Sequence, residues 1–125
     1  MIQPSAPKNR EGAFLWLYKI VAGLLIVVVL GIHFVVNHMV APGGLLSYAD
    51  VIRYFQNPWV VAMEIAFLVF VVSHSLIGLR SILLDLNPSQ AVLKTANAVL
   101  LILGAGAILY GIWLALTIAN QTPVG

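Results

Sequence analysis

The chain has no cysteine. Disulfides, thiolate zinc sites, iron–sulfur ligation and cysteine nucleophiles are therefore excluded within it. Charge is also scarce. Only 8% of the 125 residues are Asp, Glu, Lys or Arg, where a soluble domain carries about 25%. Because 62% of the residues are hydrophobic, the composition fits neither an ordinary water-soluble globule nor a disordered chain. Six Lys and Arg against four Asp and Glu leave a formal charge of +2. That is too little basic surface to point to nucleic acid. No internal repeat, low-complexity segment, phosphate-cradling loop, nucleophile–base pair or paired catalytic carboxylate is present, so nothing points to hydrolysis. The three histidines are the only strong metal-ligand candidates.

What the chain has in quantity is long apolar runs. A helix needs about 20 apolar residues to cross a hydrocarbon core of roughly 30 Å. Three stretches meet that length: 14–40, 59–84 and 92–118. The first is too long for the apolar part of a signal peptide and has no small-residue cleavage site after it. Pro42-Gly43-Gly44 ends the first span. Asn57-Pro58 opens the second, with Asn57 as N-cap and Pro58 at the first helical position. Asn87-Pro88 is expected to do the same for the third, making spans two and three a tight hairpin. In the first loop, Ser47 and Asp50 have capping-box spacing with Asp in place of Glu. A short helix on the membrane surface is expected over 48–56. The fold class is all-α membrane protein, with one membrane domain over 1–125.

Charge sets the expected orientation. Lys8, Arg10 and Lys19 flank the start of span one, and Arg80 and Lys94 flank the hairpin. The first loop has only Arg53. The positive-inside rule puts the N-terminus and the 85–91 turn in the cytoplasm and the C-terminus outside. Trp16, Tyr18, Tyr54 and Trp59 read as interface anchors. Span three has no ionisable residue deep inside. Its Gly104, Ala107 and Gly111 form a small-residue packing stripe.

Ionisable groups inside a bilayer are costly and are functional candidates by default. His33, Glu64 and His74 lie within spans, and His38 lies near the outer end of the first. A neutral imidazole is a good haem-iron ligand, and helix bundles build cofactor sites from facing side chains. The alternative for His33 and His74 is a hydrogen bond to a neighbouring helix. Gly31 near His33, and Gly78 one turn after His74, would clear room for a flat group. Arg80 could hold a haem propionate or a quinone oxygen, or only reach the cytoplasmic interface. At about 1.5 Å per residue, His33 and His74 are expected about 10 Å apart in depth, with His74 nearer the cytoplasm. His38, five residues after His33, faces elsewhere and cannot share its iron. It reads as a boundary residue, bonded to a propionate, quinone or lipid, or simply wetted. Glu64 could carry protons, pair with His38 at similar depth, or reach the outer interface.

The run His74, Gly78, Arg80, Asp85 (H-x3-G-x-R-x4-D) resembles the haem-binding segment of the membrane-anchor subunits of succinate dehydrogenase and fumarate reductase. Gly23, Gly31 and His33 resemble the first helix of the diheme members. The resemblance spans roughly residues 16–85. It implies His74 as axial ligand of a proximal haem b and His33 of a distal one, with His38 as the alternative. It also implies a quinone site near Arg80, Asp85 and Lys19. The bundle would be completed by a second anchor subunit, and a flavoprotein and an iron–sulfur subunit would dock on the cytoplasmic face of the cell membrane. Two departures stand out. Leu86 replaces the tyrosine that D-type anchors carry after the aspartate, and Ser81 replaces the further histidine of C-type anchors. The implied role is a haem b-binding anchor, leaning to the D type, that passes electrons to quinone. The alternatives are a haem-free anchor and an accessory subunit that only packs.

Overall fold

The computed structural model describes residues 11–44 and 47–123. Lys8 and Arg10, which support the expected orientation, lie outside them. Helix α1 covers Ala13–Val35 and runs into a π-helical turn, Val36–Val40. Helix α2 covers Tyr48–Phe55, α3 Pro58–Asp85 and α4 Gln90–Ala119. Three helical stretches, Ala13–Val40, Pro58–Asp85 and Gln90–Ala119, are long and apolar enough to cross a membrane. In hydrocarbon a helix satisfies its own backbone groups.

The helix ends follow local chemistry. The Asn57 side chain accepts the Trp59 N–H at 3.0 Å, and Pro58 takes the first helical position. Ser47 and Asp50 form the full reciprocal capping box at the start of α2. The break after the π turn uses Gly43 and Gly44 at φ +71° and +75°, where a side chain would be strained.

The start of α4 differs from expectation. Asn87 caps no helix start. It adopts φ +50° and closes α3, its N–H donating to the Leu84 carbonyl at 3.0 Å. Asparagine tolerates this left-handed conformation, which commonly ends helices. The N-cap of α4 is Ser89, whose hydroxyl accepts the Val92 N–H at 3.3 Å.

Helix α3 is the centre of the molecule. It packs against α1 on one side and α4 on the other, and among the described residues α1 and α4 do not touch. The helices run antiparallel. Gly104 faces Leu76, and Gly111 faces Leu68. These are two of the three small residues of the expected packing stripe, and the third, Ala107, is exposed. Helix α2 lies across the start of α3 and the end of α4 through Ile52, which is 1% exposed. Tyr48 donates to the Gln121 side chain, and Gln56 donates to the Gln121 carbonyl at 3.0 Å, tying α2 to the end of α4. Few side chains are buried, and the outward faces of α1 and α4 are strongly apolar. Such faces suit lipid or another membrane subunit.

Candidate functional site

His74 sits in the contact between α1 and α3. Its Nδ1 lies 3.0 Å from the main-chain carbonyl of Lys19. A carbonyl only accepts, so Nδ1 carries the proton and a neutral ring keeps its free lone pair on Nε2. Gly23 makes the contact possible. It lies one turn beyond Lys19 on the same face of α1. A Cβ there would stand 3.1 Å from Cε1 of His74 and 3.6 Å from Nδ1. Gly31 and Gly78, the two glycines expected to clear room for a flat group, face open space, with nothing within 4 Å of an added Cβ.

His33 is seated in a second network in the same contact, toward the C-terminal end of α1. Its Nδ1 lies 2.8 Å from Oε1 of Glu64 on α3. The Tyr54 hydroxyl on α2 donates to the same oxygen at 2.9 Å. Asn37, only 7% exposed, donates to the His33 carbonyl at 2.7 Å and to the Tyr54 oxygen at 3.3 Å. The His33 ring stacks on Phe67, with centroids 5.5 Å apart. The Glu64 oxygen that accepts from Tyr54 also accepts from Nδ1, and His33 makes no hydrogen bond at Nε2 among the described residues. Burial, and then the hydrogen bond to Glu64, push the Tyr54 phenol up to about 12. The π turn begins three residues after His33. Such turns often mark functional sites.

The partner of Glu64 is thus His33, and the pairing with His38, one of the three alternatives for Glu64, does not form. The relative register of α1 and α3 decides this, placing His33 opposite Glu64. His38 is exposed on the π turn, its ring against Phe34 at 4.9 Å. The same register sets the depths. On α1 His33 lies ten residues beyond Gly23, which faces His74. The two histidines are therefore separated by about 15 Å along the helix axis, more than the roughly 10 Å expected from counting residues to the helix ends.

At the N-terminal end of α1, Lys19 Nζ donates to Glu11 at 2.9 Å and to the Ser81 hydroxyl at 2.8 Å. Ser81 donates to the other Glu11 oxygen at 2.6 Å. The Ser81 hydroxyl, and then Lys19, hold the Glu11 carboxyl below the usual carboxylate range against the opposing effect of burial. Tyr18 and Ser73 bond at 2.8 Å just beside His74. Arg80 departs from this face. Six residues after His74, it points about 120° away around the helix, and its Nε donates to Asn97 on α4 at 2.8 Å. Asp85 is exposed at the end of α3.

Among the described residues no group of three or more His, Asp or Glu could hold a metal ion. A haem iron is held by the porphyrin and needs only one or two axial side chains. Two imidazoles at different depths, each anchored through Nδ1, have the donor chemistry of single haem-iron ligands. An Nδ1–H bonded to a carbonyl or carboxylate is the usual way a ligating histidine is oriented.

The fold and these seats define an all-α membrane protein with three apolar helices of membrane-spanning length. The comparisons take this further. The family model for the succinate dehydrogenase/fumarate reductase transmembrane subunit matches residues 5–114. The chain is also similar to a succinate dehydrogenase hydrophobic membrane anchor subunit of Archaeoglobus fulgidus. The two are 30% identical over 118 residues, covering 94% of this chain and 100% of the relative. The chain belongs to the succinate dehydrogenase/fumarate reductase transmembrane subunit family.

Several residues of these networks escape sequence reading. Asn37 carries a usable signal, because it lies four residues after His33 on the same face. Tyr54 reads only as an interface anchor, and Asn97 offers no signal in the sequence. Their roles depend on how the helices pack.

Proposed function

We propose that this chain is half of a haem-binding helix bundle in a succinate:quinone oxidoreductase or its fumarate-reducing relative. His74 is the axial ligand of one haem b and His33 of a second, with exposed His38 as the alternative outer ligand. The observation that carries the reading is the shared seating of the two rings. Each has Nδ1 engaged, by Lys19 O or by Glu64, and no hydrogen bond at Nε2 among the described residues. A second anchor subunit supplies the opposing ligands. The open sides of Gly31 and Gly78 leave backbone surface for a flat group to approach.

A bound haem b supplies a one-electron carrier. This chain's own residues orient the imidazoles, keep water from their Nδ1 side and hold the soluble subunits to the membrane. The chain does no succinate chemistry itself. The flavoprotein and iron–sulfur subunits dock on the cytoplasmic side, which is the side of the N-terminus and the α3–α4 turn by charge bias. Lys19 and Asp85 lie at that end and line the approach of the quinone head. Lys19 reaches there already paired with Glu11 and Ser81. Ser81, where C-type anchors carry a further histidine, supports assignment to the D type.

The test is purification through a tag on this chain from detergent-solubilised membranes. The expected result is co-purification of a flavin-containing and an iron–sulfur subunit, with b-type haem in the reduced-minus-oxidised spectrum. A complex that assembles without haem would leave a haem-free anchor, in which both histidines serve only to join α1 to α3.

A further inference from the structure

The side of α3 turned away from the histidines carries a different site. A cavity of about 370 Å³ lies between α3 and α4. Arg80 and Asn97 stand at one end. Leu76, Leu101, Gly104 and Ile108 line the rest. From Asn97 to Ile108 the slot follows α4 for roughly 16 Å, from the α3–α4 turn toward the membrane interior. It is apolar along its length, and Arg80 is its only charged lining residue.

The Arg80 guanidinium is incompletely satisfied there. Its Nε is bonded to Asn97, but one terminal nitrogen is buried with no hydrogen-bond partner among the described residues. A buried guanidinium N–H without an acceptor is costly, and a charged acceptor relieves it best. The chain itself offers none. Its only acids are Glu11, Asp50, Glu64 and Asp85, and the residues outside the description include no Asp or Glu. Glu11 is committed to Lys19 and Ser81, and Glu64 to His33 and Tyr54. Asp50 caps α2 at the opposite membrane side. Asp85 is exposed at the end of α3, and no ion pair joins it to Arg80 among the described residues. Lys94, three residues before Asn97 on α4, adds a second cation at this end, likewise without a carboxylate within ion-pair distance among the described residues.

We propose that the slot between α3 and α4 binds an acidic phospholipid from the leaflet on the N-terminal side. Its phosphate pairs with the Arg80 guanidinium, the side chain turning its unpartnered nitrogen out of the α3–α4 contact to meet it, with Lys94 as the outer counter-charge. One acyl chain lies along Leu76, Leu101 and Gly104. A basic pocket between membrane helices is a recognised setting for anionic headgroups, and the apolar slot leading inward from it matches a chain below a phosphate. A neutral quinone would leave the guanidinium charge uncompensated. The site is independent of the histidine ligands, which face α1.

The test uses the whole detergent-purified complex, delipidated and then incubated with phosphatidylglycerol or phosphatidylcholine of identical chains. Native mass spectrometry counts the lipids retained. The wild type is expected to hold one phosphatidylglycerol in preference to phosphatidylcholine. Arg80→Gln should weaken that retention roughly tenfold or more, as for loss of one charge-assisted hydrogen bond. Arg80→Lys should restore part of it. Ala105→Phe, which fills the slot but leaves Arg80 in place, should also lose the lipid while haem content stays unchanged. Equal retention of the two lipids, or retention that survives both Arg80→Gln and Ala105→Phe, overturns the proposal. So does haem loss from Arg80→Gln with lipid retention intact, which would give the counter-charge of Arg80 to a haem propionate.

Discussion

Substitution of Gly23 probes the seat of His74 from the opposite helix, without touching the imidazole. An alanine Cβ would lie 3.1 Å from Cε1, 3.6 Å from Nδ1 and 4.0 Å from Nε2 of His74. The first distance is a few tenths of an ångström too close, so the ring must tilt, and the 3.0 Å bond from Nδ1 to the Lys19 carbonyl is what that tilt stretches. Losing that bond costs about 1 kcal/mol. Replacing a helical glycine by alanine returns up to about 1 kcal/mol. Gly23→Ala should therefore leave stability nearly unchanged. Gly23→Leu places branched atoms where the ring lies, adds roughly 1–3 kcal/mol of overpacking, and should evict the imidazole. The assay is the reduced-minus-oxidised spectrum of the purified complex with subunit stoichiometry checked. Alanine should shift the His74-dependent haem signal while retaining it. Leucine should lose it while the His33-dependent signal remains. Full haem content and an unaltered spectrum in Gly23→Leu would refute the reasoning that Gly23 and the Lys19 carbonyl hold His74.

The network around His33 makes a sharper chemical distinction. Glu64→Gln keeps an oxygen that accepts from His33 and Tyr54, and should retain the His33-dependent haem and near-normal stability. Glu64→Leu strands both donors at about 1–3 kcal/mol and should lose that haem selectively. Equal behaviour of the two variants would contradict this account. Tyr54 titrates near 12 in the folded protein against an ordinary 10.0. Its contribution to stability is thus fully present below pH 10 and lost as pH rises through about 12. An alkaline absorbance titration should show one tyrosine ionising late, absent in Tyr54→Phe. In the α3–α4 contact, Gly111→Val would drive its side chain into Leu68. It should cost about 1–3 kcal/mol, read as earlier loss of assembled complex on heating in detergent, whereas Ala107→Val on the exposed face should not.

Features set by local chemistry were legible in the sequence. Three apolar runs gave three helices, Ser47 and Asp50 gave the capping box, and Asn57-Pro58 gave the start of α3. Asn87-Pro88 looked the same on paper and behaved differently. Asparagine serves both as an N-cap and in the left-handed conformation that ends a helix, and the close spacing of α3 and α4 selected the second. The site was legible as residue types but only partly as geometry. His33, His74 and Glu64 stood out because ionisable groups are rare in such runs. Which of them meet is set by the sliding register of α1 on α3, and no short sequence window encodes it. That register chose His33 for Glu64 and Gly23 for His74. Arg80 reads naturally with His74 and Gly78 along the chain, yet the 100° step per residue turns it toward α4.

The most direct test of the central claim is the number of b-type haems per complex in the wild type, His74→Ala and His33→Ala. It is read from reduced-minus-oxidised spectra against a protein count. Two haems in the wild type, with a different one lost in each variant and assembly preserved, are the expected result. A wild-type complex without haem, or two variants that both keep the wild-type haem content, would contradict the assignment of these histidines as ligands.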